Sequence, residues 1–142
     1  MTIGKICNRN VDTADTLESV QTAAQRMGTR NVGTLVVLSE LRRPIGILTD
    51  RDVAVRVVGS GRDPYTTSVE DVMTADLEVV REDLPVEDAL KRMRSRGVRR
   101  LPVVSLAGQC VGILSMDDIL SHLAHDFAVL GRLIEVSSPG LD

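Results

Sequence analysis

Apolar residues change their spacing twice between positions 83 and 115. Val86, Ala89, Leu90 and Met93 recur at helical intervals, with Lys91, Arg92 and Arg94 on the other faces. Asp83 and Pro85 give that helix a start signal and Gly97 a stop. The run "LPVVS" then reads as a strand, "LAGQ" as a turn and "VGILS" as a second strand. Another helix follows over "MDDILSHLAHDFAVLGRLI". An earlier stretch carries the same succession: a helix with Val20, Ala23 and Met27, the strand "TLVVLS", the turn "ELRRP", the strand "IGILT" and the helix "DRDVAVRVV". A short strand precedes each set, "CNRNVD" in one and "LEVVR" in the other. The pattern predicts strand, helix, strand, strand, helix, twice.

The two stretches are copies of one another. A shift of 66 residues lays "RNVGTLVVLSELRRPIGILTDRD" on "RGVRRLPVVSLAGQCVGILSMDD" without a gap. Arg30 meets Arg96, Val32 meets Val98, Leu35 meets Leu101 and Val37 meets Val103. Gly46, Ile47 and Leu48 fall on Gly112, Ile113 and Leu114, Asp52 falls on Asp118, and Thr49 falls on the chemically similar Ser115. This is an internal duplication. It divides the chain into a first repeat (1–60), a connector (61–68) rich in turn residues, a second repeat (69–136) and a frayed tail (137–142). One copy of this length buries little core alone; two packed sheet against sheet bury more.

Composition narrows the chemistry. Apolar residues at 43% and charged residues at 26% fit a soluble globular chain of 142 residues. Aromatic residues are only 1%, Tyr65 and Phe127, so the core is aliphatic and stacking platforms for bases are nearly absent. A net charge of -3 exerts no general pull towards nucleic acid or anionic lipid. Cys7 and Cys110 form no CxxC pair and read as small packing residues. No run approaches a membrane span and no signal peptide is legible, so the expected location is cytoplasmic.

The polar ends of the paired strands raise the chemical question. Thr49-Asp50-Arg51-Asp52 and Ser115-Met116-Asp117-Asp118 are good helix caps. They also gather a hydroxyl and a carboxylate where a polar ligand could sit. A carboxylate can accept both protons of a cis-diol, and an early-helix N–H is a natural phosphate partner.

The residues "IGILTDRD" and "VGILSMDD", preceded by "GVRRLPVV", resemble the CBS domain, named after cystathionine beta-synthase. The doubled pattern resembles a Bateman module, and "EDVMT" at Glu70–Thr74 looks like the usual start of a second CBS repeat. The resemblance implies an α+β fold: two tandem CBS repeats, each β-α-β-β-α, about a pseudo-two-fold axis. It implies a regulatory, non-enzymatic protein that binds an adenine nucleotide (AMP, ADP or ATP) between the repeats, with no obligatory cofactor. Asp52 and Asp118 would hold ribose, Thr49 and Ser115 would lie near phosphates, and Val32 and Val98 would flank the base. Arg99 and Arg100, placed just before a strand, are further phosphate candidates. Arg51 stands where the second copy has Asp117, so the sites are expected to differ, with the Thr49 site preferring polyphosphates and Arg99 and Arg100 partly compensating the other. S-adenosylmethionine or NAD would offer the same diol, and a ligand-free dimerising scaffold is the rival reading. A homodimer is expected through the last helix, with Ile119, Leu123, Phe127, Leu130 and Ile134; an unidentified protein partner would receive the signal.

Other signals are weaker. "KRMRSRGVRR" is the densest basic run, but Lys91, Arg92 and Arg94 read as a solvated helix face rather than a nucleic-acid patch. His122 and His125 are three apart with Asp126 beside them, which reads as helix surface or subunit contact. Neither a Ser-His-Asp constellation nor a Gly-rich phosphate loop is legible.

Overall fold

A computed structural model describes residues 1–137; apart from Ser137, the tail expected over 137–142 lies outside the described residues. The elements run α1 (Ile3–Ile6), β1 (Thr13–Asp15), α2 (Val20–Arg30), β2 (Thr34–Leu38), β3 (Pro44–Thr49) and α3 (Asp50–Asp52), which continues as a π-helical segment (Val53–Val58). The second set is α4 (Val69–Val72), β4 (Val80–Arg81), α5 (Val86–Arg96), β5 (Arg100–Val104), β6 (Cys110–Ser115) and α6 (Met116–Val136).

The duplication extends to hydrogen-bond register. β1 pairs parallel with β2, and β2 antiparallel with β3, giving one three-stranded sheet; β4, β5 and β6 repeat the arrangement. Thr34 lies opposite Thr49 and Arg100 opposite Ser115, and the register slips at Val37/Leu38 in one sheet and Val103/Val104 in the other. The predicted strand at "LEVVR" contains β4, but that at "CNRNVD" does not form. There Asn8 pairs with Ile113 and turns its side chain to the Asn10 N–H, a local bond that competes with strand pairing. The strand begins three residues beyond Asn10, at Thr13. The predicted stop at Gly97 holds, at φ 66°, and Asn31 takes the same left-handed place in the first copy at φ 54°. The start signal at Asp83 does not act as a cap: its carboxylate pairs with Arg81, and the N-cap position is Pro85.

Each sheet carries its helices on one face. Leu35, Val37 and Leu48 pack with Val20, Ala23 and Met27 of α2; Leu101, Val103 and Leu114 pack with Ala89 and Met93 of α5. Period-two alternation sends Val36 and Leu38 to the other face, yet both are buried. Pro102 and Val104, their counterparts, are buried too. Both faces of each sheet are therefore covered.

The lead-in helices cross between the halves. Ile3, Ile6 and Cys7 pack with Val80, Ala89 and Ile119 of the second half, while Val69, Val72 and Met73 complete the core of the first. Two close approaches fix this exchange. A Cβ on Gly46 would lie 2.5 Å from the Met73 sulfur, and one on Gly112 would lie 2.7 Å from that of Cys7. The Thr74 and Ile47 backbones bond reciprocally at 2.8 and 2.9 Å, as do those of Asn8 and Ile113 at 2.9 Å each way. Neither half owns a complete core.

Candidate functional site

The two motif loops have nearly the same local geometry. Thr49 Oγ1 accepts from the Asp52 N–H at 3.1 Å, and Asp52 Oδ2 accepts from the Thr49 N–H at 3.0 Å. Ser115 and Asp118 make the same two bonds, each 3.0 Å. Both pairs are reciprocal capping boxes at the start of a helix. The capping role is therefore real in each copy.

The early-helix amides are largely spoken for. The Asp50 N–H donates to the Gly33 carbonyl, that of Arg51 to the Asp50 carboxylate and that of Asp52 to Thr49. At α6 the Met116 N–H donates to the Arg99 carbonyl. The expectation of free N–H groups for a phosphate is thus corrected at α3, where the Gly33 carbonyl and the Asp50 and Thr49 side chains consume them. Any anion recognition there falls to side chains.

A cavity of about 560 Å³ lies between the halves. It brings together Thr49 and Arg51 from the first half with Val98, Arg99 and Arg100 from the second. Thr34, Ile47, Leu77 and Leu101 add to its walls, and Thr74, Asp76, Glu78 and Arg96 complete the polar rim. Asp52 does not line it directly. Its carboxylate sits behind Thr74, whose hydroxyl is 3.5 Å from each oxygen, with Arg56 Nε 3.8 Å away.

A second cavity of about 280 Å³ is its pseudo-symmetric mate. Asn8, Asn10, Val11 and Asp12 replace Thr74, Asp76, Leu77 and Glu78, and Val32, Gly33 and Thr34 replace Val98, Arg99 and Arg100. Ile113 takes the place of Ile47, while Thr34 and Arg100 line both. Ser115 and Asp118 line neither cavity.

The clefts are thus composite, and this overturns one expectation. Arg99 and the Val98 wall serve the cleft that contains Thr49 and Arg51, not the one nearest Ser115. Val32 serves the other. The sequence reading also passed over Arg96, Asp76 and Glu78. Arg96 holds Asp76 at 2.7 Å and approaches Glu78 at 3.9 Å. Arg92 donates to the Val79 carbonyl at 2.6 Å, so it anchors the same segment instead of only facing solvent. The 66-residue shift was the available signal for them, since it maps Asn8–Asp12 onto Thr74–Glu78.

Elsewhere the chemistry is quiet. Burial pushes the Cys7 thiol above its ordinary value; Arg9 opposes the shift, while Glu82 and Asp118 reinforce it. Burial likewise raises Cys110. His122 pairs with Asp126 at 3.3 Å. Among the described residues no group of three or more His, Cys, Asp or Glu could hold a metal ion, and no helix is long and apolar enough to cross a membrane.

Comparison with known proteins agrees with the duplicated frame. The pattern of the CBS domain matches twice, over residues 3–59 and 69–125. An uncharacterized protein of Methanopyrus kandleri, MK0525, is 36% identical over 120 residues, which are 84% of this chain and 61% of that protein. The chain therefore spans about three fifths of that relative. Hypoxic response protein 1 of Mycobacterium tuberculosis is 30% identical over 134 residues, 94% of this chain and 92% of its own. A crystal structure of Hypoxic Response Protein I with two coordinated zinc ions superposes with a TM-score of 0.78 at 30% identity, covering 86% of this chain and 98% of the other. With both repeats matched, paired sheet by sheet and completed by each other's lead-in helices, the chain belongs to the CBS domain family as a tandem CBS pair.

Proposed function

We propose that this CBS pair is a cytoplasmic regulatory module that binds an adenosyl ligand, an adenine nucleotide (AMP, ADP or ATP) first among them, in the larger cleft. The carrying observation is that one cavity gathers Thr49, Arg51, Val98, Arg99 and Arg100 from the two halves, with the Asp52 carboxylate one hydroxyl behind it. Apolar walls suit a purine, guanidiniums suit phosphates, and a carboxylate suits a ribose diol. Because both halves line the cavity, a bound ligand bridges them. Affinity becomes a coupling between the halves that a partner surface can read. S-adenosylmethionine and NAD meet the same diol chemistry.

The module acts as a homodimer in this reading. Ile119, expected on this face, is instead buried in the second half's core; on α6, Leu120, Leu123, Phe127, Leu130 and Ile134 follow a 3-4-3-4 spacing, and every one is exposed. From Leu123 onward the helix is uncovered by its own chain. A projecting apolar helix of this length is marginal in water by itself, and a repeating seam is self-complementary to a second copy. A rival reading, a dimerising scaffold without ligand, draws on the engagement of both motif carboxylates in capping.

Mass spectrometry of small molecules released from the purified protein, with thermal shift against a nucleotide panel, tests the reading. A ligand at 100 times its Kd stabilises by about 2.7 kcal/mol. No co-purified adenosyl compound and no shift with any member of the panel would leave the scaffold.

A further inference from the structure

The two clefts are related by the duplication yet unequal in charge: the larger is lined by four arginines against two carboxylates, the smaller by Arg100 against Asp12. We infer that they sort ligands by charge, the larger taking a polyphosphate-bearing adenosyl ligand and the smaller a nucleoside with an uncharged or cationic 5′ group. The inference rests on the adenosyl reading above. The larger cleft presents four guanidiniums, Arg51, Arg96, Arg99 and Arg100, against the carboxylates of Asp76 and Glu78. Those carboxylates are engaged with Arg96. Among the described residues neither Arg51 nor Arg100 has a carboxylate within 4.0 Å. Arg99 has only Asp117 at 3.9 Å, with both side chains well exposed.

Position by position, the smaller cleft loses most of this charge and keeps only Arg100, which lines both. Arg99 becomes Gly33, and the space a Cβ would take there is occupied by the Asp50 carboxylate, 2.8 Å away. Arg51 has Asp117 as its repeat counterpart, which does not line the smaller cleft, so no arginine stands at that place. Arg96 becomes Arg30, which is tied to Asp12 at 2.8 Å. Neutral amides, Asn8, Asn10 and Asn31, take up much of the wall. Since the early-helix N–H groups at α3 are consumed, side-chain charge decides where a phosphate can go. A guanidinium meets phosphate oxygens in a two-pronged bond, and of the two clefts the larger has the surplus of guanidiniums. The smaller cleft has half the volume.

Calorimetry on the full chain with ATP, adenosine and 5′-amino-5′-deoxyadenosine tests this. ATP is expected to bind one site per chain, more weakly as salt rises. Adenosine and its 5′-amino analogue are expected to bind a second site when ATP is saturating. Arg51→Asp should weaken ATP about tenfold more than adenosine. Arg99→Asp, on the other half and well exposed, gives the same readout should Arg51→Asp fold poorly. Two equivalent ATP sites, or an ATP-to-adenosine preference unmoved by both variants, overturns charge sorting and leaves adenosyl binding intact. No heat with any of the three compounds overturns the adenosyl reading, and charge sorting with it.

Discussion

Asp52→Ala should destabilise the fold by about 1–2 kcal/mol, because Asp52 serves the backbone whether or not a ligand is present. The Thr49 N–H donates to its carboxylate at 3.0 Å, and the side chain is only 11% exposed. Alanine removes that acceptor and leaves a partly buried donor unpaired, a loss of about 1–3 kcal/mol. Capping data put the same loss at about 0.5–2 kcal/mol. The two figures describe one event and do not add. The reverse bond, from the Asp52 N–H to Thr49, survives the change. The contact with Arg56, 3.8 Å away and half-exposed, adds less than about 1 kcal/mol. Urea denaturation should show a lower midpoint at unchanged slope, and Tm should fall by roughly 3–8 °C. Asp52→Asn keeps an acceptor oxygen and so should recover most of the stability. It should not recover nucleotide affinity if the carboxylate holds ribose. Asp118→Ala, which breaks an equal bond at 3.0 Å, should cost a similar amount. An unchanged midpoint in Asp52→Ala, or an Asn variant as unstable as the Ala variant, would refute the capping argument.

Ile3→Ala should cost about 2–5 kcal/mol and quicken amide exchange in β5 and β6 before β2 and β3, since Ile3 is buried in the second half's core; equal quickening in both sheets would contradict the exchange of lead-in helices. Gly46→Ala should destabilise by about 1–3 kcal/mol, because its Cβ would sit 2.5 Å from the Met73 sulfur, and a midpoint unchanged in urea would show that Met73 can swing aside. Phe127→Asp should give a monomer by light scattering, while an intact dimer would move the interface away from the α6 seam. Both thiols should alkylate more slowly at pH 8 than free cysteine, since burial holds each above its ordinary 9.0. By the same sign the native state keeps its thiol protons longer, so this contribution to stability is lost as pH rises above that value; native alkylation as fast as that of urea-unfolded protein would contradict it.

Much of the fold was legible because the duplication repeats its signals. Glycine after α5, hydrophobic spacing on α2 and α5, and the paired strand runs all appear where the pattern puts them. The first strand was misplaced because the Asn8 side chain accepts from the Asn10 N–H and competes locally with pairing, which hydrophobic spacing does not register. The crossing of α1 and α4 was not legible at all. Helices of four residues carry too little periodicity to show which core they enter, and the choice depends on contacts such as Met73 against Gly46, far apart along the chain.

The site was legible residue by residue but not as a partition. Repeat alignment makes Arg99 equivalent to Gly33 and Arg51 equivalent to Asp117, and a reader naturally assigns each residue to the cleft of its own copy. The structure does otherwise, for a reason rooted in the crossed helices. Each lead-in helix packs on the opposite half, so the segment after it, Asn8–Asp12 or Thr74–Glu78, must return to its own half across the gap between the sheets. That return path forms a wall of each cleft. Thr74 shows the consequence: its backbone is bonded to Ile47 and its hydroxyl approaches Asp52, while Asp76 two residues later is held by Arg96. A ligand that draws Arg96 towards a phosphate competes with Asp76 for it, and Asp76 belongs to the irregular segment that joins the two cores. Charge at the cleft and the path between the two cores therefore meet in the same few residues, and in the function proposed above this is how a bound ligand would be passed on to a partner.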